Sequence, residues 1–93
     1  MTRDEQRHHD ILGCLGCVIC REFAGRMVPP SIHHIATGSG LRSEWMTAPL
    51  CWHCHQGPEG FHQGPKLLLM RYGLPTEYHL LLFVAKFRAE DRL

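Results

Sequence analysis

Two cysteine pairs, Cys17-x-x-Cys20 and Cys51-x-x-Cys54, bracket the middle of this chain, with 31 residues from Cys20 to Cys51. His33 and His34 lie between the pairs, and His55 directly follows the last cysteine. Two C-x-x-C turns offer four sulfurs with little strain, which is the complement of one tetrahedral Zn²⁺. Whatever else the chain does, its fold must bring residues 17–20 and 51–54 together. Cys14-Leu15-Gly16-Cys17 is a third C-x-x-C, so the N-terminal pairing has two solutions. Cys17 with Cys20 is preferred, because Val18 and Ile19 between them can pack beneath the site while Arg21 faces outward. Cys14 is then a buried or a free thiol.

A metal clamp fits the size of the chain. Ninety-three residues make one domain, and a chain this short buries only about 60–65% of the surface its unfolded form exposes. Small domains of this kind need a metal, disulfides or a partner. Five cysteines is an odd number and argues against a simple disulfide framework. The first 13 residues are mostly polar and unlike a signal peptide. The longest apolar run, Leu80–Ala85, is too short to cross a bilayer. The expectation is a cytoplasmic protein, with no membrane association, whose reduced cysteines bind metal. The formal charge of +1 is a weak argument for nucleic acid by itself. Locally, however, Arg21, Arg26, Arg42, Lys66 and Arg71 outnumber Glu22, Glu44 and Glu59 between residues 20 and 75.

The chain divides at its glycines and prolines. Residues 1–12 predict a helix or arm that ends at Gly13. Residues 14–22 predict a zinc knuckle. Pro29-Pro30 favours an extended lead into a strand over Ser31–Ile35, Thr37–Gly40 reads as a loop, and Trp45–Leu50 predicts a second strand. A second knuckle follows at Cys51, and Gly57–Gly60 bends the chain before His62. Lys66–Tyr72 predicts a helix with Pro65 in its first turn and Gly73 as its stop. Thr76 predicts an N-cap for a last helix over about 77–90, with an apolar face of Leu80, Leu81, Phe83, Val84 and Phe87. In these terms residues 13–64 hold the knuckles and the core, and residues 65–93 the C-terminal helices.

The histidines suggest a second site. On a strand, His33 and His34 point to opposite faces and so divide labour: one can ligate a metal while the other takes a proton from water. The knuckle fixes His55, and the bend at 57–60 can fold His62 back toward it. His53 is expected to be exposed, and His8, His9 and His79, which have no partner at recognisable spacing, to be surface residues.

A strand bearing His33-His34, a glycine loop, a second strand and then Cys51-x-x-Cys54-His55 resembles the zinc-knuckle branch of the HNH nucleases, which share the ββα-metal fold. The segments LGCVIC, HHI, GSGLRS, APLCWHCHQGPEGFHQG and RYG, with the Leu-rich last helix, resemble phage Ref-like, RecA-dependent recombination-enhancement nucleases over roughly residues 8–90. The resemblance implies an α+β fold: a small zinc-stabilised ββα-metal domain with extra C-terminal helices. It implies that His34 is the general base and that His33, His55 and His62 are ligands of a catalytic metal. The superfamily often carries Asn on the second strand, bracing the loop that holds the base. Here the candidate positions hold Glu44, Trp45 and Met46, and Glu44 is the one able to accept a hydrogen bond in that catalytic role or to touch the metal.

The implied reaction is hydrolysis of DNA phosphodiester bonds with one catalytic divalent ion beside the structural Zn²⁺ of Cys17, Cys20, Cys51 and Cys54. Imidazole ligands suit Zn²⁺, Mn²⁺, Ni²⁺ or Co²⁺ better than Mg²⁺. Arg42, Lys66 and Arg71 are the candidate phosphate contacts. The expected partners are DNA and a recombinase or other phage or host DNA-processing protein. Two further readings compete with the enzyme: a zinc-stabilised module that only binds DNA or a protein, and an oligomerisation role for the apolar last helix.

Overall fold

The computed structural model describes residues 1–36, 40 and 42–93. Its elements in chain order are α1 (Arg3–Leu15), α2 (Val18–Ala24), β1 (Ser31–His34), β2 (Thr47–Leu50), α3 (Trp52–His55), α4 (Pro65–Arg71) and α5 (His79–Asp91). This is an α+β arrangement. The two strands form one antiparallel sheet in the register Ser31↔Leu50, Ile32↔Pro49, His33↔Ala48 and His34↔Thr47. Helices α1 and α5 pack on the hairpin and on each other, and α2 packs against α5. Among the described residues no helix is long and apolar enough to cross a membrane.

Helix α1 starts in a reciprocal capping box. The Glu5 amide donates to the Thr2 hydroxyl at 3.1 Å, and the Thr2 amide donates to the Glu5 carboxylate at 2.6 Å. The expected stop at Gly13 is wrong: the helix continues through Gly13 and Cys14 to Leu15. A mid-helix glycine costs about 1 kcal/mol. Leu12 and Leu15, three residues apart, are both fully buried, and their burial outweighs that cost. The helix ends instead at Gly16, whose φ of +77° lies in the region that a side chain strains. Cys14 is exposed on the last turn of α1, the free rather than the buried one of its two expected states.

The core gathers Leu12, Leu15, Val18, Ile19, Ile35, Leu50, Leu68, Leu80, Val84 and Phe87. Arg21 is a correction: it does not face outward as a lone surface charge. Its guanidinium holds Asp91 with two contacts of 2.8 and 2.6 Å, donates to the Leu15 carbonyl at 3.1 Å and stacks over Phe87 at 4.3 Å. It joins the end of α5 to α1 and α2, and so ties the last helix to the first cysteine pair.

The second strand begins two residues later than Trp45, at Thr47. The Thr47 hydroxyl donates to the Glu44 carbonyl at 3.0 Å and the Trp45 amide donates to the Ser43 hydroxyl at 3.2 Å, which holds residues 44–46 in a bend. The predicted loop over Thr37–Gly40 lies outside the described residues except for Gly40, a bend at φ +75°. Helix α4 takes Pro65 at its first turn, as predicted, and Gly73 follows its end at φ +67°. The last helix starts at His79 rather than residue 77, and the Thr76 side chain does not cap it. That hydroxyl sits 3.2 Å from the His79 ring instead, and the Thr76 carbonyl accepts from the His79 amide.

Candidate functional site

Each cysteine pair straddles a helix start. Cys17 is the N-cap of α2 and Cys51 the N-cap of α3, which places Cys20 and Cys54 one turn inside. The two starts meet in the core, where all four residues are buried. The Cys20 Sγ lies 3.7 Å from that of Cys51 and 3.9 Å from that of Cys54. Sulfurs on a zinc tetrahedron of ~2.3 Å radius stand ~3.8 Å apart. The spacing therefore matches ligands around one ion and is far outside the ~2.05 Å of a disulfide. The electrostatics agree. Hydrogen bonds from Cys54 and from the Cys20 and Cys51 amides hold the Cys17 thiol down at about 5. Burial and the Cys17 charge push Cys20 up to about 12, and the hydrogen bond to Cys17 together with burial pushes Cys54 up as well. Several thiolates coexist here only around a cation. The Cys17, Cys20, Cys51 and Cys54 group can hold a structural metal ion, and Cys14 is no part of it.

A turn built on the second pair positions the first group of histidines. After α3 the chain doubles back: the Phe61 amide donates to the Cys54 carbonyl at 2.7 Å and the His62 amide to the His55 carbonyl at 2.9 Å. The reversal requires Gly60, where a Cβ would lie 2.8 Å from the His53 carbonyl oxygen. It brings His62 Nε2 to 2.8 Å from His55 Nε2. His33 reaches the same point from β1, its ring 5.1 Å from that of His55 and 5.9 Å from that of His62. One nitrogen from each of His33, His55 and His62 lies within 4.8 Å of the others.

Two neighbours place the protons of His55 and His33. The Ser31 hydroxyl has one proton, which it donates to the Leu50 carbonyl at 3.2 Å. It therefore accepts from His55 Nδ1–H at 2.8 Å, leaving the lone pair of His55 on Nε2, toward His62. The Glu77 carboxylate lies 3.4 Å from His33 Nε2, while His33 Nδ1 is buried without a partner among the described residues. Burial, with the neighbouring imidazoles adding to it, lowers both His33 and His55 to about 4. Both are neutral at pH 7, the form that binds metal. Convergent imidazoles, those of His33 and His55 neutral, with a buried unpartnered nitrogen fit a divalent ion. Ser31 and Glu77 were not foreseen. Ser31 had a signal in the sequence, since residues 31 and 33 share one face of a strand. Glu77 had none.

His34 projects from the other face of β1, as alternation requires, into a second group. Its Nε2 lies 3.3 and 3.2 Å from the two Glu44 oxygens, and its Nδ1 lies 3.2 Å from an Arg42 nitrogen. A carboxylate only accepts and a guanidinium only donates. The tautomer is thereby set: the proton is on Nε2 and the lone pair on Nδ1. The hydrogen bond from His34, ahead of the nearby His9 and Arg42 charges, holds the Glu44 carboxyl below its ordinary range. Glu44 thus braces His34, while Trp45 packs on the His8 ring at 5.2 Å.

The expected surface positions of His8 and His9 are wrong. His8 is buried and bonded to the Thr47 hydroxyl at 3.0 Å. His9 is half-buried, with Nε2 at 3.0 Å from the Glu44 carbonyl and 3.2 Å from its carboxylate. The spacing of α1 gives no hint of this, because the contacts run to residues 35 and more positions away. His53 is exposed, as expected. Of the three candidate phosphate contacts, Arg42 is exposed and reaches His34, Lys66 is exposed on α4, and Arg71 is paired with Glu59 at 3.0 Å.

His34, Arg42, His55 and His62, with Ile32, line one cleft of about 270 Å³. A larger cavity of about 570 Å³ shares His34 and His62 and continues past His33, Phe61, Leu69, Glu77 and Tyr78. The two histidine groups, although rooted on opposite faces of β1, open onto common space. A family model described as "Recombination enhancement, RecA-dependent nuclease" matches residues 1–79. The chain belongs to this family. No curated protein and no solved structure matches it. Membership in this nuclease family gives the chain a nuclease-type function in recombination, with DNA as the implied substrate. The match covers both cysteine pairs and every histidine discussed above.

Proposed function

We propose that this RecA-dependent nuclease family member is an HNH-type endonuclease that hydrolyses DNA phosphodiester bonds using a divalent metal. The observation that carries the reading is the shared cleft: a histidine with its lone pair fixed on Nδ1 stands beside a converging group of imidazoles. The order of hairpin and short helix, with His33-His34 on β1 and His55 at the end of α3, supports the HNH assignment.

Cys17, Cys20, Cys51 and Cys54 hold a structural zinc, chosen over other ions for its all-thiolate tetrahedral set. His33, His55 and His62 hold the catalytic ion, for which Mn²⁺, Co²⁺, Ni²⁺ or Zn²⁺ suit imidazole better than Mg²⁺. When bound, that ion supplies Lewis-acid stabilisation of charge at the phosphate. His34 Nδ1 takes the proton of the attacking water, and Glu44 holds the ring and stabilises the imidazolium that forms. Arg42 occupies Nδ1 in the absence of substrate. It is the residue best placed to transfer to a phosphate oxygen and uncover the base, with Lys66 and Arg71 as further phosphate contacts. A recombinase is the proposed protein partner.

His34→Ala tests the reading. DNA nicking falls by at least ~10²-fold, while the ions held by the four cysteines and by His33, His55 and His62, and the melting temperature, stay at wild-type values. Nicking at the wild-type rate by a folded, metal-loaded His34→Ala protein removes His34 from the mechanism.

A further inference from the structure

The group around His34 has a feature that bracing alone does not require. Glu44 is approached by two imidazoles rather than one. His9 comes from α1, His34 from β1 and Glu44 from the bend before β2, so three separate segments converge. The Glu44 Oε2 atom lies 3.2 Å from His9 Nε2 and 3.2 Å from His34 Nε2. Ligand atoms sharing a tetrahedral ion at ~2.0–2.2 Å stand ~3.4 Å apart. One atom from each residue falls within 4.8 Å of the other two, and all three side chains are only partly exposed. Two imidazoles and a carboxylate with a position left open are a set that zinc takes readily.

The geometry points to a second divalent-cation site, formed by His9, His34 and Glu44, whose occupation by Zn²⁺ switches the nuclease off. The binding claim stands on geometry alone, whereas the inhibitory consequence rests on the role proposed for His34. In the ion-free state Glu44 holds the His34 proton on Nε2 and leaves Nδ1 as the base. An ion at this site takes the Nε2 lone pair. The ring proton must then sit on Nδ1, with the His9 Nε2 proton passing to that ring's other nitrogen in exchange with water. His34 keeps its place but loses its capacity to accept a proton. Arg42 is the cation facing this site, at 3.7 Å from Glu44 and 3.2 Å from His34 Nδ1. Its side chain is 71% exposed, so it can swing into solvent as the ion enters.

His9 is the residue that separates the two functions. His9→Gln keeps an amide donor for Glu44 but removes the imidazole ligand. The test titrates Zn²⁺ into the full chain, already carrying the ion of its four-cysteine cluster, in a plasmid-nicking assay supported by Mn²⁺. Ions per chain are counted by native mass spectrometry, with melting temperature as the folding control. The wild type reaches three zinc ions per chain, and its nicking falls at least tenfold as the third binds. His9→Gln and His9→Ala stop at two and nick unimpaired over the same Zn²⁺ range. A folded His9→Gln protein that takes as many ions as the wild type overturns the site, whatever the total; a wild type with two ions and a His9→Gln protein with one leave the site standing and empty the His33, His55 and His62 triad instead. Equal Zn²⁺ inhibition of the wild type and His9→Gln overturns the switch. A wild type that binds three ions, with His9→Gln binding two, yet never nicks DNA at any metal level upholds the site and rejects the nuclease reading instead.

Discussion

Ser31→Ala isolates the part of the site that depends on one proton. The Ser31 hydroxyl donates to Leu50 at 3.2 Å and accepts from His55 Nδ1 at 2.8 Å. Removing it takes away two hydrogen bonds, the first weak by its length, from a partly exposed position. The cost in global stability is therefore about 0.5–1.5 kcal/mol. The larger effect is on metal. Without an acceptor at Nδ1, the His55 proton is free to move to Nε2, the nitrogen that faces His62 at 2.8 Å. Loss of such an orienting partner typically costs about 10–100-fold in metal affinity, which is roughly 1.4–2.7 kcal/mol. Calorimetric titration of Co²⁺ into protein whose four-cysteine cluster is already filled measures this. The expected result is a weakened second binding event, an unchanged ion in the cysteine cluster and a melting temperature lowered by a few degrees. Ser31→Thr, which keeps the hydroxyl, restores affinity. If Ser31→Ala binds Co²⁺ as tightly as the wild type, the tautomer argument is wrong and His55 is oriented by something other than Ser31.

Two other perturbations test the turn and the titration. Gly60→Ala places a Cβ 2.8 Å from the His53 oxygen and 2.9 Å from the Gly57 nitrogen, both backbone atoms that cannot step aside. The turn must open, at a cost of roughly 2–4 kcal/mol. Urea unfolding reads that loss, and Co²⁺ affinity of the histidine triad drops with it. By contrast Gly13→Ala, where a Cβ meets only open space, gains up to about 1 kcal/mol of helix propensity; equal effects at the two positions refute the steric argument. For pH, burial lowers His33 and His55 to about 4, against ~6.5 in an unfolded chain. Their folded pKa values are depressed, so the unfolded state binds more protons between these limits. The stability they contribute is present above about 6.5 and lost as pH falls toward 4. Imidazole NMR titration of protein whose triad is metal-free should give midpoints near 4 for both rings; midpoints near 6.5 contradict their burial.

Some of this was written in the residues. The matched C-x-x-C pairs demanded one four-sulfur group, because two knuckles supply the four ligands of one tetrahedral ion, and the structure brings the Cys20 sulfur to 3.7 and 3.9 Å from those of Cys51 and Cys54; which N-terminal pair takes part was left to the fold. The alternation of a strand separated His33 from His34, and the glycines at 57 and 60 announced the reversal that returns His62 to His55. Each of these follows from a local rule: ligand spacing, period-two alternation, or a turn that excludes a Cβ. The tertiary structure decided what no local rule reaches. It carried α1 through Gly13 because Leu12 and Leu15 found a core to fill. It turned Arg21 inward onto Asp91, and it set Glu77 against His33 from 44 residues away. Above all, it laid His9 on Glu44, a contact spanning 35 residues. Protonation states and ligand sets depend on which side chains meet across such distances. The packing of helices on the hairpin therefore settles them, whereas spacing along the chain does not.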